Sequence, residues 1–219
     1  MNATDPTSNE LVSYLTLRRV VGLLGMLLPI ILALVGFRLL GWGHIQPSIS
    51  DYYSLRTRDL FVGILFTIGW FLFTYRGFDR RDEIAGNLAC VFALGVALFP
   101  NSGTAVESTI HFSSATALFL VLAYFSLALF TKTGGRPTAR KLVRNNIYRA
   151  CGVAMLLCIA LIGLCHWTPL GAAVDEYHPV FWLESMALWA FGISWFVKGE
   201  TLWKDRLPAP LSTRTPPTT

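Results

Sequence analysis

Apolar residues gather in six runs along the chain, at 20–40, 60–75, 84–99, 110–130, 147–167 and 180–197, with polar and charged residues between them. Each run is helix-length. A helix rises 1.5 Å per residue, so about 20 apolar residues cross the roughly 30 Å hydrocarbon core of a bilayer. The runs at 60–75 and 84–99 are shorter and are expected to extend into their polar flanks. Ahead of the first of these, Ser48 and Asp51 have the spacing of a helix-opening capping box, which predicts a helix that begins near Ile49. The pattern as a whole predicts an all-α fold, a membrane-embedded bundle of six transmembrane helices over 18–200. A segment of 1–17 precedes it, and a proline-rich tail of 201–219, without apolar periodicity and expected to be disordered, follows.

Charge sets the orientation. All Lys and Arg except Arg38, Arg56 and Arg58 lie before the first run, between the second and third, between the fourth and fifth, at the inner end of the fifth (Arg149), or after the sixth. Basic residues accumulate on the cytoplasmic side, so both the N-terminus and the C-terminus are expected there. The first run is longer than a signal-peptide core and is followed by no small-x-small cleavage site, so it is expected to be retained as a span. Composition agrees: 53% of residues are hydrophobic and 14% charged, against about 25% charged in soluble domains. A pI near 9.2 does not point to nucleic acid, because the charge sits beside the spans. Membrane lipid is the expected partner, with Lys132, Arg136, Arg140, Lys141 and Arg144 as a juxtamembrane basic loop.

Packing signals come next. Ala85, Ala89, Ala93 and Ala97 repeat every four residues, a small-residue face that lets helices approach closely. It predicts a central position for the third span, with a homodimer through that face as the rival expectation. Cys90, Cys151, Cys158 and Cys165 lie inside apolar runs and are expected to be packing residues. Tyr52, Tyr53, Trp167 and Tyr177 at one set of helix ends, and Tyr14 and Tyr75 at the other, are expected as interfacial anchors. Trp42 and Trp203 join them.

The polar residues with chemical potential collect at the outer ends of the runs, where His44, His111, His166 and His178 all fall. Ionisable groups inside a membrane are costly and carry a functional hypothesis by default. Glu184 lies more than a turn inside the sixth run and Arg38 at similar depth in the first, so the two are expected to pair. Arg56 and Asp59, three apart, share a helical face, as do Asp51 with Arg58 and Tyr52 with Asp59. Such stripes suit a zwitterionic or anionic headgroup, which makes Arg38, Tyr52, Arg56, Arg58 and Asp59 the candidate ligand-binding set. A zinc site would have to be assembled between helices, since no HxxxH or HExxH occurs; His111 and His178 are its candidate ligands. A transporter would need a polar path through the membrane, and the inner half offers little beyond Asn87.

The stretches PSISDYY (47–53), RDLFVG (58–63), AGNLA (85–89) and HPVFWLE (178–184) resemble an uncharacterised family of bacterial six-span membrane proteins over about residues 15–200. The chain is also weakly similar to the CREST superfamily, which includes alkaline ceramidases and adiponectin receptors. That resemblance implies zinc held by histidines beside a Ser and an Asp, and cleavage of lipid amides. Carried onto this chain it makes His111 and His178 ligands, Glu184 or Asp51 ligand or base, and Ser50 the oxyanion donor. The leading expectation is a polar outer-face site for a lipid headgroup or a small lipid-like ligand. A metal-dependent lipid hydrolase is the alternative, and a small transporter the third.

Overall fold

The computed structural model describes residues 6–39, 41, 45–77, 79–133 and 136–199. The tail expected at 201–219, and with it His44, Trp42 and Trp203, lies outside the described residues. Every regular element described is helical. Helix α1 (Pro6–Leu34) runs on through a π turn, Val35–Leu39; α2 is Arg58–Phe73 and α3 is Arg80–Leu98. Helix α4 (Ala105–Tyr124) continues through a second π turn, Phe125–Leu129, and α5 (Ala139–Trp167), the short α6 (Pro169–Val174) and α7 (Pro179–Lys198) complete the chain. Among the described residues, Tyr14–Arg38, Ala105–Leu129, Ala139–Trp167 and Pro179–Lys198 are long and apolar enough to cross a membrane. Helix α1 already begins at Pro6, so much of the predicted 1–17 segment is helix.

The ends of the helices are written in side chains. Thr104 and Glu107 cap α4 reciprocally: the Thr104 N–H donates to Glu107 Oε2 at 2.7 Å and the Glu107 N–H to Thr104 Oγ1 at 3.3 Å. Asp79 and Asp82 do the same for α3. Satisfying first-turn N–H groups in this way contributes about 1 kcal/mol per cap. Lys132 binds both acids, at 3.0 Å to Asp79 and 3.1 Å to Asp82. Its hydrogen bond holds the Asp79 carboxyl below its ordinary range. The Ser48–Asp51 box also forms, with Ser48 N–H donating to Asp51 Oδ2 at 3.0 Å and Asp51 N–H to Ser48 Oγ at 3.2 Å. It opens a single 3-10 turn, Ser50–Ser54, rather than the predicted long helix. Leu55 is extended (φ −112, ψ 176) and breaks the run, so α2 starts at Arg58.

The long helices close into a ring: α1 packs on α2, α2 on α3, α3 on α4, α4 on α5, α5 on α7, and α7 back on α1. The first and last long helices meet backbone to backbone. A Cβ on Gly22 would lie 2.6 Å from the Gly192 carbonyl, and one on Gly192 2.5 Å from the Gly22 carbonyl. Helix α7 is the most enclosed, with Phe181, Ser185, Leu188, Phe191, Ser194 and Trp195 all buried. The prediction of a central third span is thus corrected. Helix α3 packs between α2 and α4, and its alanine stripe faces inward, with Ala85, Ala89, Ala93 and Ala97 at most 4% exposed. Gly69 of α2 stands over Ala93 and Cys90, which leaves that face covered within one chain. Large apolar side chains point the other way: Ile84, Leu88, Val91 and Leu98 of α3 are exposed along one stripe, and Trp70 and Phe73 of α2 with them. Small residues inside and large ones outside is the packing of helices whose surroundings are apolar. Cys90, Cys151 and Cys158 are buried free thiols, as packing requires.

Three of the predicted aromatic anchors are core residues instead. Tyr52, Tyr53 and Tyr75 are 1%, 6% and 1% exposed. Their hydroxyls have protein partners that make burial affordable: the Gln46 N–H donates to Tyr52 Oη, Tyr53 donates to the Leu98 carbonyl, and Arg18 bonds Tyr75. Trp167 and Tyr177 are exposed, as an anchor would be.

Candidate functional site

At one end of the ring the segment before α2 folds inward against α4 and α7. Its approach is fixed by two backbone-directed bonds. The Phe181 N–H, a first-turn donor with no partner inside its own helix, donates to the Pro47 carbonyl at 3.0 Å. One turn further along α7, Glu184 Oε2 accepts the Ile49 N–H at 2.6 Å, and the Ser50 N–H bonds the same carboxylate. Helix α7 can present Glu184 there because its entry is sharp: His178 adopts the left-handed conformation (φ 50, ψ 52), and Pro179, which has no N–H to satisfy, takes the first helical position.

Ser50 and His111 form the chemical core. The His111 ring is fully buried, with Nδ1 2.7 Å from the Phe99 carbonyl and Nε2 2.9 Å from Ser50 Oγ. A carbonyl only accepts, so Nδ1 carries the proton and donates to Phe99. Nε2 is then the acceptor, and the Ser50 hydroxyl donates to it. The result is a serine whose proton already points at a neutral imidazole, oriented in turn by a backbone carbonyl. Asp51 stands beside this pair in a structural role: Ser48 N–H and Oγ bond its Oδ2, and Asn101 Nδ2 donates to Oδ1 at 2.6 Å. Ser108 Oγ donates to the Asn101 carbonyl at 2.8 Å, which ties the start of α4 to the same loop.

Below Ser50 and Glu184 lies a cavity of about 50 Å³ whose other walls include Leu28, Phe61, Leu65, Leu118, Phe119 and Leu188. That volume is the room of one or two water molecules. Its lining is apolar except for the Ser50 and Glu184 side chains at its rim. The cavity admits a small apolar group beside Ser50 and not an acyl chain.

The structure brings Ser50, Asp51, His111 and Glu184, each a candidate catalytic, ligand or metal residue from the sequence, to one end of the ring through hydrogen bonds of loop 47–51. Glu184 is held by backbone N–H groups and not by Arg38, which is an exposed side chain in the π turn after α1. The expected Arg38–Glu184 pair is therefore corrected: the segment 47–50 reaches Glu184 first and supplies two donors without burying a second charge. Arg56 and Asp59 are both exposed, and no ion pair joins them among the described residues. Arg58 turns back onto Tyr53, donating to its hydroxyl at 3.1 Å with the guanidinium 4.8 Å from the ring centre. Tyr52 packs against Phe181, with ring centres 6.4 Å apart. His178 heads α7 with its Nδ1 buried and without a hydrogen-bond partner. Among the described residues no three His, Cys, Asp or Glu side chains stand together as a metal set. Both nitrogens of His111 are engaged by Phe99 and Ser50. As placed, His111 and His178 are not joined by a third His, Cys, Asp or Glu among the described residues.

The Phe99 carbonyl was not among the expected site groups, and the bond from Asn101 to Asp51 was not foreseen. The NSGT turn at 101–104 is recognisable as a helix start, but which loop polar group would meet Asp51 depends on the ring closure and leaves no local mark. No protein-family model, curated protein or solved structure matches this chain.

Proposed function

We propose that the chain is a six-span protein of the bacterial plasma membrane, with both termini on the cytoplasmic side, that binds a lipid-like ligand between Ser50 and the cavity beneath it. The observation that carries the ligand reading is the cavity itself: apolar walls contributed by α1, α2, α3, α4 and α7, with one hydroxyl and one carboxylate at the rim. Supporting six spans, α2 and α3 stand in the same ring as the four longer helices and turn exposed Trp70, Phe73, Leu88 and Val91 outward. The 16 residues of α2 rise about 24 Å, and the 3-10 turn before it covers the remaining depth on that side. The distribution of Lys and Arg supplies the orientation. Single cysteines at Thr104 and at Thr138 will react with a membrane-impermeant maleimide from opposite sides of intact spheroplasts. Same-side labelling ends the six-span reading.

A second reading, hydrolysis of a lipid ester or amide, is favoured by one observation, the Ser50 Oγ to His111 Nε2 contact. In it Ser50 attacks the carbonyl, His111 takes the proton and returns it to the leaving group, and water later releases the acyl chain. Binding is preferred because the nearest backbone donors, the N–H groups of Ile49 and Ser50, are spent on Glu184 and do not form an oxyanion hole. A diazirine-bearing phospholipid will crosslink to the purified protein, and Leu65→Trp, which fills the cavity, will reduce the yield several-fold in a chain that still elutes as a folded species. An unchanged yield in Leu65→Trp rejects the site. Phosphonylation of Ser50 by an alkyl fluorophosphonate, absent in Ser50→Ala, would replace binding by hydrolysis.

A further inference from the structure

The cavity under Ser50 is chemically one-sided, and this narrows the ligand of the site proposed above; the narrowing rests on that reading. Ser50 and Glu184 supply its polar wall. The Ser50 hydroxyl donates its proton to His111 Nε2, so its oxygen keeps only lone pairs for a ligand. Glu184 accepts the N–H groups of Ile49 and Ser50. A carboxylate has about four lone-pair sites, so it too retains accepting capacity, while those N–H groups are spent in the same bonds. The other lining side chains, among them Leu28, Phe61, Leu65, Leu118 and Phe119, are apolar. A ligand here meets acceptors and finds no free donor among the described side chains. It must itself donate.

Charge narrows the choice again. Among the described residues no Lys or Arg pairs with Glu184 or with Asp51, and Arg58 is turned onto Tyr53. The charged group that acts on Glu184 is the carboxylate of Asp51, of the same sign, and Asp51 has only Ser48 and Asn101 as partners. Charge held away from water is costly unless an opposite charge meets it. A donor that is also a cation answers both features. Size sets the last limit: the cavity of about 50 Å³ has the room of one or two water molecules, which is that of an ammonium nitrogen and the carbon bonded to it. Apolar walls favour that carbon over a second water.

We propose that the group bound here is a primary ammonium on a short carbon stem, from either a free small amine or the aminoethyl end of a lipid headgroup. Its N–H groups donate to the Glu184 carboxylate and to Ser50 Oγ, and the carbon beside the nitrogen lies against the apolar walls. A quaternary ammonium has no N–H and is wider, so it is excluded on both counts.

The test is thermal unfolding of the full chain in detergent, with methylammonium, tetramethylammonium or potassium chloride at matched ionic strength. Methylammonium will raise Tm by several degrees in a saturable way, as a ligand of the folded state does, and the other two will not. Leu65→Trp, which fills the cavity, will lose most of the response. Glu184→Gln, which puts an NH₂ donor where an acceptor stood, will lose it as well; should that variant not fold, Leu65→Trp still decides. Nanodiscs separate the sources. If phosphatidylethanolamine mixed into phosphatidylcholine stabilises the parent and not Leu65→Trp, the ammonium belongs to a lipid headgroup; if methylammonium stabilises and the two bilayers are equivalent, it belongs to a free amine. A parent chain indifferent to both sources, or equally responsive to tetramethylammonium, or a Leu65→Trp response equal to the parent's, overturns the inference. Where such a result stands beside intact crosslinking of the diazirine phospholipid, the lipid reading survives and only the ammonium is lost.

Discussion

A chain carrying Gly192→Ala will lose its folded state well below the temperature at which the parent does, whereas Gly63→Ala will be as stable as the parent. The added methyl on Gly192 meets the Met26 side chain, the Gly22 carbonyl at 2.5 Å and the Met26 backbone nitrogen at 3.0 Å. A crowded side chain can rotate away; two backbones in a helix crossing cannot. Helices α1 and α7 must separate along their length, and the contacts of the most enclosed helix loosen with them. Overpacking by a methyl group costs about 1–3 kcal/mol in a core that can adjust, and this crossing belongs at the upper end of that range. Gly63 has no atom within 4 Å of its missing Cβ, so alanine there adds helix propensity without a clash. Monodispersity after a graded heat step in detergent reads both variants. A Gly192→Ala protein as heat-resistant as the parent would refute the close crossing.

Glu184→Gln will be the second large effect, and removing Arg38 will not repair it. The carboxylate accepts the N–H groups of Ile49 and Ser50. An amide has one accepting oxygen where the carboxylate has two, and no charge, so the pair of bonds weakens. A buried donor left unpaired costs about 1–3 kcal/mol, and the segment that carries Ser50 onto His111 is released. Glu184→Ala, which orphans both donors, will cost more. The measurement is Tm together with amide exchange at 49–51, expected to speed up in both variants. A normal Tm in Glu184→Gln, or recovery on adding Arg38→Met, would mean that the carboxylate does not hold this loop.

How far these features could be read beforehand depends on whether they are local. The long helices were legible because each apolar run carries its own length, and the Ser48–Asp51 cap because its two residues are three apart. The start of α2 was misjudged although the Ser48–Asp51 box does form, because a cap specifies a first turn and Leu55 then leaves the helical region. Helix α3 was placed centrally because its alanines mark close packing without naming the partner; α7, with bulky residues on every side, is the helix most enclosed. The gathering of Ser50, His111 and Glu184 was visible as three polar residues at the same depth. Their connections were not, since Glu184 chose backbone donors from a loop over the cation at matching depth.

The close contact between Gly22 and Gly192 also bears on how the protein is made. Among the described residues α1 comes first in the chain and α7 last, yet each is the other's neighbour. Until α7 arrives, the ring is an open horseshoe whose mouth exposes the small-residue edge of α1, and the loop at 47–50 has neither Glu184 nor the Pro47 anchor at Phe181 to close on. The ring therefore closes in a single latching event, the docking of α7 onto α1.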